Sequence, residues 1–235
     1  MTTSTIVTGG SSGIGAEISS QAAADGHDVL VLSRTAGPVG RHVAVDLGQP
    51  AGWDALAAAI EEAIEPAEAV EMYHCAGTLT PIGFAGEIDA AAYRESVVLN
   101  AAGPPIVGDA FLRAVYSRRM PATLVMLTSG AARSAYPGWS AYCAGKAAMD
   151  HWVRTVGAEQ AIRHGVKVVA IAPSVVDTPM QAEVRGTDSS DFPDVDRFRI
   201  LATDGDLADP ADVARRIRAV VAGLDSGAVV DLRDL

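Results

Sequence analysis

Short apolar runs alternate with longer segments of helical period along most of the chain. Strands are predicted at Thr5 to Thr8, Asp28 to Leu32, His42 to Val45, Ala69 to Cys75, Ala122 to Leu127, Val166 to Ala172 and Val229-Val230. Between them, helices are expected over Gly13 to Ala24, Trp53 to Ile64, Tyr93 to Tyr116, Ala141 to His164 and Pro210 to Leu224. Asp25-Gly26 ends the first helix, Pro104-Pro105 is expected to break the third, and Pro210 suits a first helical turn. The strands are unbroken Val, Ile and Leu runs, the pattern of strands buried on both faces of a parallel sheet. Strand and helix in alternation predict an α/β fold: one doubly wound domain over residues 1–235, with a mostly parallel sheet of about seven strands and helices on both faces. Residues 181–206 break the rhythm. They are polar and acidic, and are expected to be irregular and to act as a substrate lid.

Composition narrows the function. With 49% hydrophobic and 20% charged residues the chain reads as an ordinary globular protein. A net charge of −11 and the lack of a basic cluster argue against a nucleic-acid partner. No apolar run approaches the 18 or so residues of a membrane span, and a strand begins too early for a signal peptide. Cys75 and Cys143 are too few for a disulfide framework or a cysteine metal site, so a reduced, cytoplasmic protein without metal is expected.

The chemistry concentrates at two places. Lys146, one of only two lysines, lies four residues after Tyr142 on a predicted helix, so ammonium and phenol share a face. A nearby cation favours phenolate and is expected to lower the tyrosine pKa, giving a general acid or base. Ser129 stands thirteen residues before Tyr142, at the carboxyl end of a predicted strand, where open α/β sheets bind ligands. The second place is the loop Thr8-Gly9-Gly10-Ser11-Ser12-Gly13-Ile14-Gly15, between the first strand and the first helix. Glycines there let backbone approach a pyrophosphate at the helix N-terminus, which is the Rossmann-type arrangement. After the second strand no acid occurs between Leu30 and Val45, while Arg34, beside Ser33, offers donors to a 2′-phosphate. NADPH is therefore expected over NADH. Asp46, next to Leu47, is placed either for an adenine amino group or as a turn cap.

In order and spacing these residues resemble the short-chain dehydrogenase/reductase family over essentially the whole chain. The motifs that carry the resemblance are the glycine loop at 8–15, Asp46, Ala76-Gly77, Asn100, Ser129, Tyr142 and Lys146, then Pro173 and Thr178. A closer resemblance is to the sepiapterin-reductase-like branch and its bacterial benzil-reducing type, carried by residues 77–82, 128–132, 138–143 and 177–181 and by Arg197-Phe198. The resemblance implies that Tyr142 donates a proton, Lys146 lowers its pKa and holds the nicotinamide ribose, and Ser129 orients the carbonyl. It also implies that Asn100 holds a relay water and that Thr178 binds the carboxamide or a phosphate. Ile14, Ala76, Gly77, Pro173 and Val176 would complete the cofactor contacts. Two departures stand out: His74-Cys75 replaces the family's asparagine pair, and Ser174 replaces a glycine. The resemblance further implies a homodimer or homotetramer through the helices at 93–116 and 141–164.

Trp139, Met180 and Phe198, with Leu79 and Ile82 behind them, are the expected substrate pocket beside Ser129. Their apolar, partly aromatic character suits a hydrophobic or aromatic ketone or 1,2-diketone. No arginine is obviously placed for a substrate carboxylate. An NAD(P)-dependent alcohol dehydrogenase working toward oxidation, and a non-catalytic NADP-binding redox sensor, are the alternatives to a carbonyl reductase.

Overall fold

A computed structural model describes residues 2–163 and 165–235; His164, expected to end the long helix, lies outside the described residues. Seven strands run parallel in one sheet: β1 (Thr3–Thr8), β2 (Asp28–Ser33), β3 (Arg41–Ala44), β4 (Ala69–His74), β5 (Ala122–Leu127), β6 (Lys167–Ala172) and β7 (Val229–Asp231). Their order is β3-β2-β1-β4-β5-β6-β7. The chain winds outward from β1 in one direction and from β4 in the other, which leaves a crevice at the carboxyl ends of the central strands.

Alternate side chains leave opposite faces of each strand, and both faces are dry. Ile6, Leu124, Met126 and Val168 pack under α2 (Pro50–Ile64), α4 (Gly103–Tyr116) and α5 (Ser140–Arg163). Val7, Val125, Leu127 and Val169 pack under α1 (Gly13–Ala24) and α8 (Pro210–Val220). This two-sided burial explains why the strands read as unbroken apolar runs.

The helix expected over Tyr93 to Tyr116 is continuous rather than broken at Pro104-Pro105. It comprises α3 (Ala90–Val97), one π-helical turn (Val98–Ala102) and α4. The prolines occupy the start of α4, directly after the π turn, which carries Asn100. Residues 181–206 also correct the sequence reading, because they are irregular only in part, over 186–194 and 204–206. They hold most of α6 (Pro179–Arg185) and all of α7 (Val195–Thr203). Thr178 caps α6 by accepting from Gln181 N, while Val184, Phe192, Val195 and Phe198 form one buried cluster with Trp139. The acidic surface of this segment hid that apolar stripe. Among the described residues no helix is long and apolar enough to cross a membrane, and no group of three or more His, Cys, Asp or Glu could hold a metal.

One contact fixes α5 against the π turn. A Cβ added at Gly145 would lie 2.6 Å from Asn100 Cβ and 2.9 Å from its backbone oxygen. Gly145→Ala is expected to destabilise the protein by about 1–3 kcal/mol through overpacking, against the ~1 kcal/mol that alanine's helix propensity returns. Thermal unfolding checks this, and a melting temperature that rises in the variant contradicts the close packing.

Candidate active site

The crevice contains a cleft of about 450 Å³ whose floor is the loop between β1 and α1. Gly9 has φ +71°, and a Cβ at Gly15 would stand 2.4 Å from the Gly9 carbonyl oxygen, so the loop folds tightly onto the first turn of α1. The Ser12 side chain does not cap that turn. Its N–H groups, at the positive end of the helix, are left for an anion. Gly9, Ser11, Ser12, Gly13, Ile14 and Gly15 all line the cleft. Farther along, Ser33 and Arg34 line it, with Asp46 and Leu47 nearby. Arg34 is exposed, and its guanidinium makes no ion pair among the described residues. Asp46 is a turn cap, its Oδ1 accepting from Gly48 N at 2.9 Å, although it still faces the cleft. Ala76, Gly77, Pro173 and Thr178 close the opposite end. A glycine cradle and a helix N-terminus in one cleft fit the phosphate chain of a nicotinamide dinucleotide.

Three residues expected at the cofactor do not line this cleft. Thr8 is buried beneath it, with its hydroxyl bonded to His74 Nδ1 at 2.8 Å. Asn100 spends its amide on the adjoining loop: Nδ2 donates to Thr78 O at 2.8 Å, and Oδ1 accepts from Thr78 N at 3.1 Å. Val176 is held by a bridge to Ala208 and lines the smaller pocket instead. Conversely, Glu183, Thr35 and Cys75 face the cleft without a local sequence signal.

Tyr142 and Lys146 share the buried face of α5 and meet the cleft together. Lys146 Nζ donates to Leu127 O at 2.7 Å and lies 5.6 Å from the Tyr142 ring centroid. Burial lowers the Lys146 pKa to about 8, with Cys75 and Asp150 pulling it back upward. Tyr142 differs from the sequence expectation. Burial pushes its pKa up to about 12, hydrogen bonding to the Ser129 side chain pulls the other way, and Cys143 adds to the rise. Desolvation of the phenolate outweighs the Ser129 hydrogen bond, so the lowering expected from Lys146 is not what sets this group. One turn beyond Lys146, Asp150 is also buried on α5, and burial raises its carboxyl above the usual range.

Beside the cleft opens a second pocket of about 160 Å³, shared by Tyr142 and Ser129. Ser129 ends the loop after β5, where its Oγ also accepts from Ala131 N at 3.2 Å. Trp139, Met180, Phe198 and Leu79 line the pocket as expected, whereas Ile82 packs behind them. Trp139 stacks on Phe192 with centroids 4.4 Å apart and meets Tyr142 edge-on at 5.9 Å. Tyr136 and Val184 complete the apolar wall. Arg197 and Arg233 also line it, two arginines that the sequence did not obviously place for a substrate carboxylate. Ser174, at φ +75°, holds a left-handed conformation that its side chain disfavours, at the position where the resemblance expects glycine.

The family described as short chain dehydrogenase matches residues 3–189. Benzil reductase ((S)-benzoin forming) of Bacillus subtilis is 33% identical over 239 residues, covering 97% of this chain and 98% of that protein. Sepiapterin reductase of Mus musculus is 31% identical over 198 residues, covering 81% of this chain and 74% of its own. A solved short chain dehydrogenase/reductase from Saccharomyces cerevisiae shares the fold with a TM-score of 0.85 at 22% identity, over 97% of this chain and 95% of that one.

Lys146 provides a direct test of the site's electrostatics, because the chain has only one other lysine, Lys167. Between about pH 8 and the ordinary lysine value of 10.5, the unfolded chain keeps a proton that the folded chain has released. The unfavourable contribution of this group to stability therefore fades as pH rises through that window. In a spectrum of 13Cε-labelled lysine, one resonance of the cofactor-free protein is expected to titrate near pH 8 and to be missing from Lys146→Met. If neither lysine titrates below about pH 9.5, the desolvated site is wrong.

Proposed function

The chain belongs to the short-chain dehydrogenase family, and from that premise we propose that it is an NADPH-dependent carbonyl reductase for hydrophobic or aromatic ketones and 1,2-diketones of the benzil type. One observation carries the reading: Tyr142 stands where the glycine-floored cleft meets an aromatic pocket that Ser129 also lines, with Lys146 on the cleft side. NADPH, when bound, supplies the hydride that adds to the carbonyl carbon. Tyr142 gives its phenolic proton to the carbonyl oxygen, so the product is an alcohol. Ser129 donates a hydrogen bond to the same oxygen and positions it. Lys146 keeps positive charge beside the phenolate that proton donation leaves, and holds the nicotinamide ribose. Asn100 anchors Thr78 and so fixes the loop that borders the nicotinamide end. A phenol that burial holds at about 12 is protonated at neutral pH and so has the proton to give.

Ser33 and Arg34 take the 2′-phosphate in this reading, Asp46 and Leu47 border the adenine, and Thr178 binds the carboxamide or a phosphate. The segment 181–206 serves as the lid: Gln181, Arg197 and Phe198 form its inner surface over the pocket. The identity to Bacillus subtilis benzil reductase over nearly both full lengths supports the diketone class. We further propose a homodimer or homotetramer through α3, α4 and α5. The support is apolar surface left on those helices, where Tyr116 and Ile162 are 50% and 78% exposed.

Tyr142→Phe is expected to keep NADPH binding and to lose about 10²–10⁴-fold in benzil reduction. Reduction at close to the parent rate sinks the assignment. Arg34→Asp is expected to reverse a preference for NADPH into one for NADH, because a carboxylate repels the 2′-phosphate and accepts from ribose hydroxyls. Equal kcat/KM for the two cofactors in the parent protein means that Arg34 does not read the phosphate. Light scattering is expected to give a mass at least double the chain's 24.2 kDa, and a lone monomer at micromolar concentration excludes the helix interface.

A further inference from the structure

The pocket is apolar in its walls but not in its charge. The chain as a whole carries −11, yet the charged side chains that line the pocket are Arg197, Arg233 and Asp231. Asp231 is 2% exposed and already committed. Its Oδ1 accepts from Arg233 Nε at 2.9 Å, and its Oδ2 accepts from Arg233 at 2.6 Å and from Arg133 at 3.2 Å. That carboxylate is therefore answered twice over by guanidinium groups. Arg197 is different. Its guanidinium has no hydrogen-bond acceptor and no ion pair among the described residues, and it lies 6.0 Å from the centroid of Phe198, in the pocket wall.

Two donors in the frame of the pocket are unpartnered. Trp139 Nε1 and Gln181 Nε2 belong to pocket residues only 6% exposed, and neither has a partner in the protein. Gln181 spends its Oε1 on Arg185, which leaves only its N–H groups to be answered. Both atoms are shut off from the open space of the pocket, so they stand behind its lining. The pocket therefore has an aromatic frame, a hydroxyl pair for one carbonyl, and an exposed, unpaired guanidinium at its wall.

We propose that Arg197 is a specificity-determining residue and that the preferred substrate is an aromatic carbonyl compound bearing an anionic group, such as a carboxylate. The inference rests on the carbonyl-reductase reading of the same site and narrows its substrate class. The carboxylate lies against Arg197, while the reducible carbonyl meets Ser129 and Tyr142. A planar guanidinium suits this task because it forms paired hydrogen bonds with a carboxylate. Its seat over an aromatic ring holds it at the wall.

The test compares benzil with benzil carrying one ring carboxylate, in the parent protein, Arg197→Gln and Arg197→Lys, at low and high salt. In the parent, kcat/KM for the carboxylated diketone is expected to exceed that for benzil by about 3- to 10-fold at low ionic strength. That ratio should fall to about one in Arg197→Gln, be partly restored in Arg197→Lys, and shrink in 0.5 M salt as screening predicts. A parent ratio of one or below, or a ratio unchanged by Arg197→Gln, overturns the inference. Equilibrium binding of the carboxylated probe to the NADPH-saturated proteins is measured in parallel. If neither diketone is reduced, the carbonyl-reductase reading fails on its own. The affinity ratio between parent and Arg197→Gln then still decides whether Arg197 recognises an anion.

Discussion

Keeping an ammonium under the surface, on one face of a long helix, sets conditions for everything around it. Lys146 is 5% exposed, and its charge is tolerated because Nζ donates to the Leu127 carbonyl and Asp150 lies one turn farther along the same face. That bond ties α5 to the end of β5. The tie works only if the helix comes close, and Gly145 permits this by leaving no side chain between α5 and the π turn that carries Asn100. Ser129 leaves the same strand end two residues after Leu127, so anchoring the lysine also sets the distance between Ser129 and Tyr142. A buried charge, a missing Cβ and a strand terminus thus form one mechanical unit.

Burial on that helix face separates two titrating groups that are otherwise close in pKa. Desolvation penalises the charged form of each, so it drives the lysine down and the tyrosine up. The cofactor-free site therefore holds a neutral phenol beside an ammonium that is close to losing its proton. A dinucleotide phosphate bound near α1 would favour the charged form of lysine and so couple the electrostatics of the cleft to those of the acid. His74, buried beneath the glycine loop, stays out of this exchange. Burial and the Lys146 charge lower its pKa to about 3, and its Nδ1 is taken by Thr8. Where the family pattern expects asparagine, the chain thus braces two strand ends, β1 and β4, with a neutral imidazole.

Departures from the family pattern have local structural consequences. Ser174 keeps the left-handed backbone of the glycine it replaces and carries that strain in the wall of the pocket. Cys75 occupies the rim of the cleft, where burial pushes its thiol up to about 12 and keeps it protonated. Neither change removes the hydroxyls of Ser129 and Tyr142 or the ammonium of Lys146.

The strands, their mostly parallel arrangement and the main helices were legible because they rest on local period: two-sided burial writes unbroken Val, Ile and Leu runs, and packed helices write a 3.6-residue repeat. The pairing of Tyr142 with Lys146 was legible for the same reason, since four residues on a helix fix a shared face. The glycine loop was readable because its backbone demands are local. What the sequence alone did not determine depends on contacts between distant segments. The helices inside 181–206 were hidden because their apolar stripe finds Trp139 only in three dimensions. Thr8, Asn100 and Val176 left the cofactor surface because each met a partner elsewhere in the chain: His74, Thr78 and Ala208. The upward pKa of Tyr142 is set by the volume of protein around it, not by its neighbour on the helix. Arg197 and Arg233 reached the pocket from segments far from Ser129 and Tyr142, and only the winding of the chain around the sheet brings those charges to one cavity.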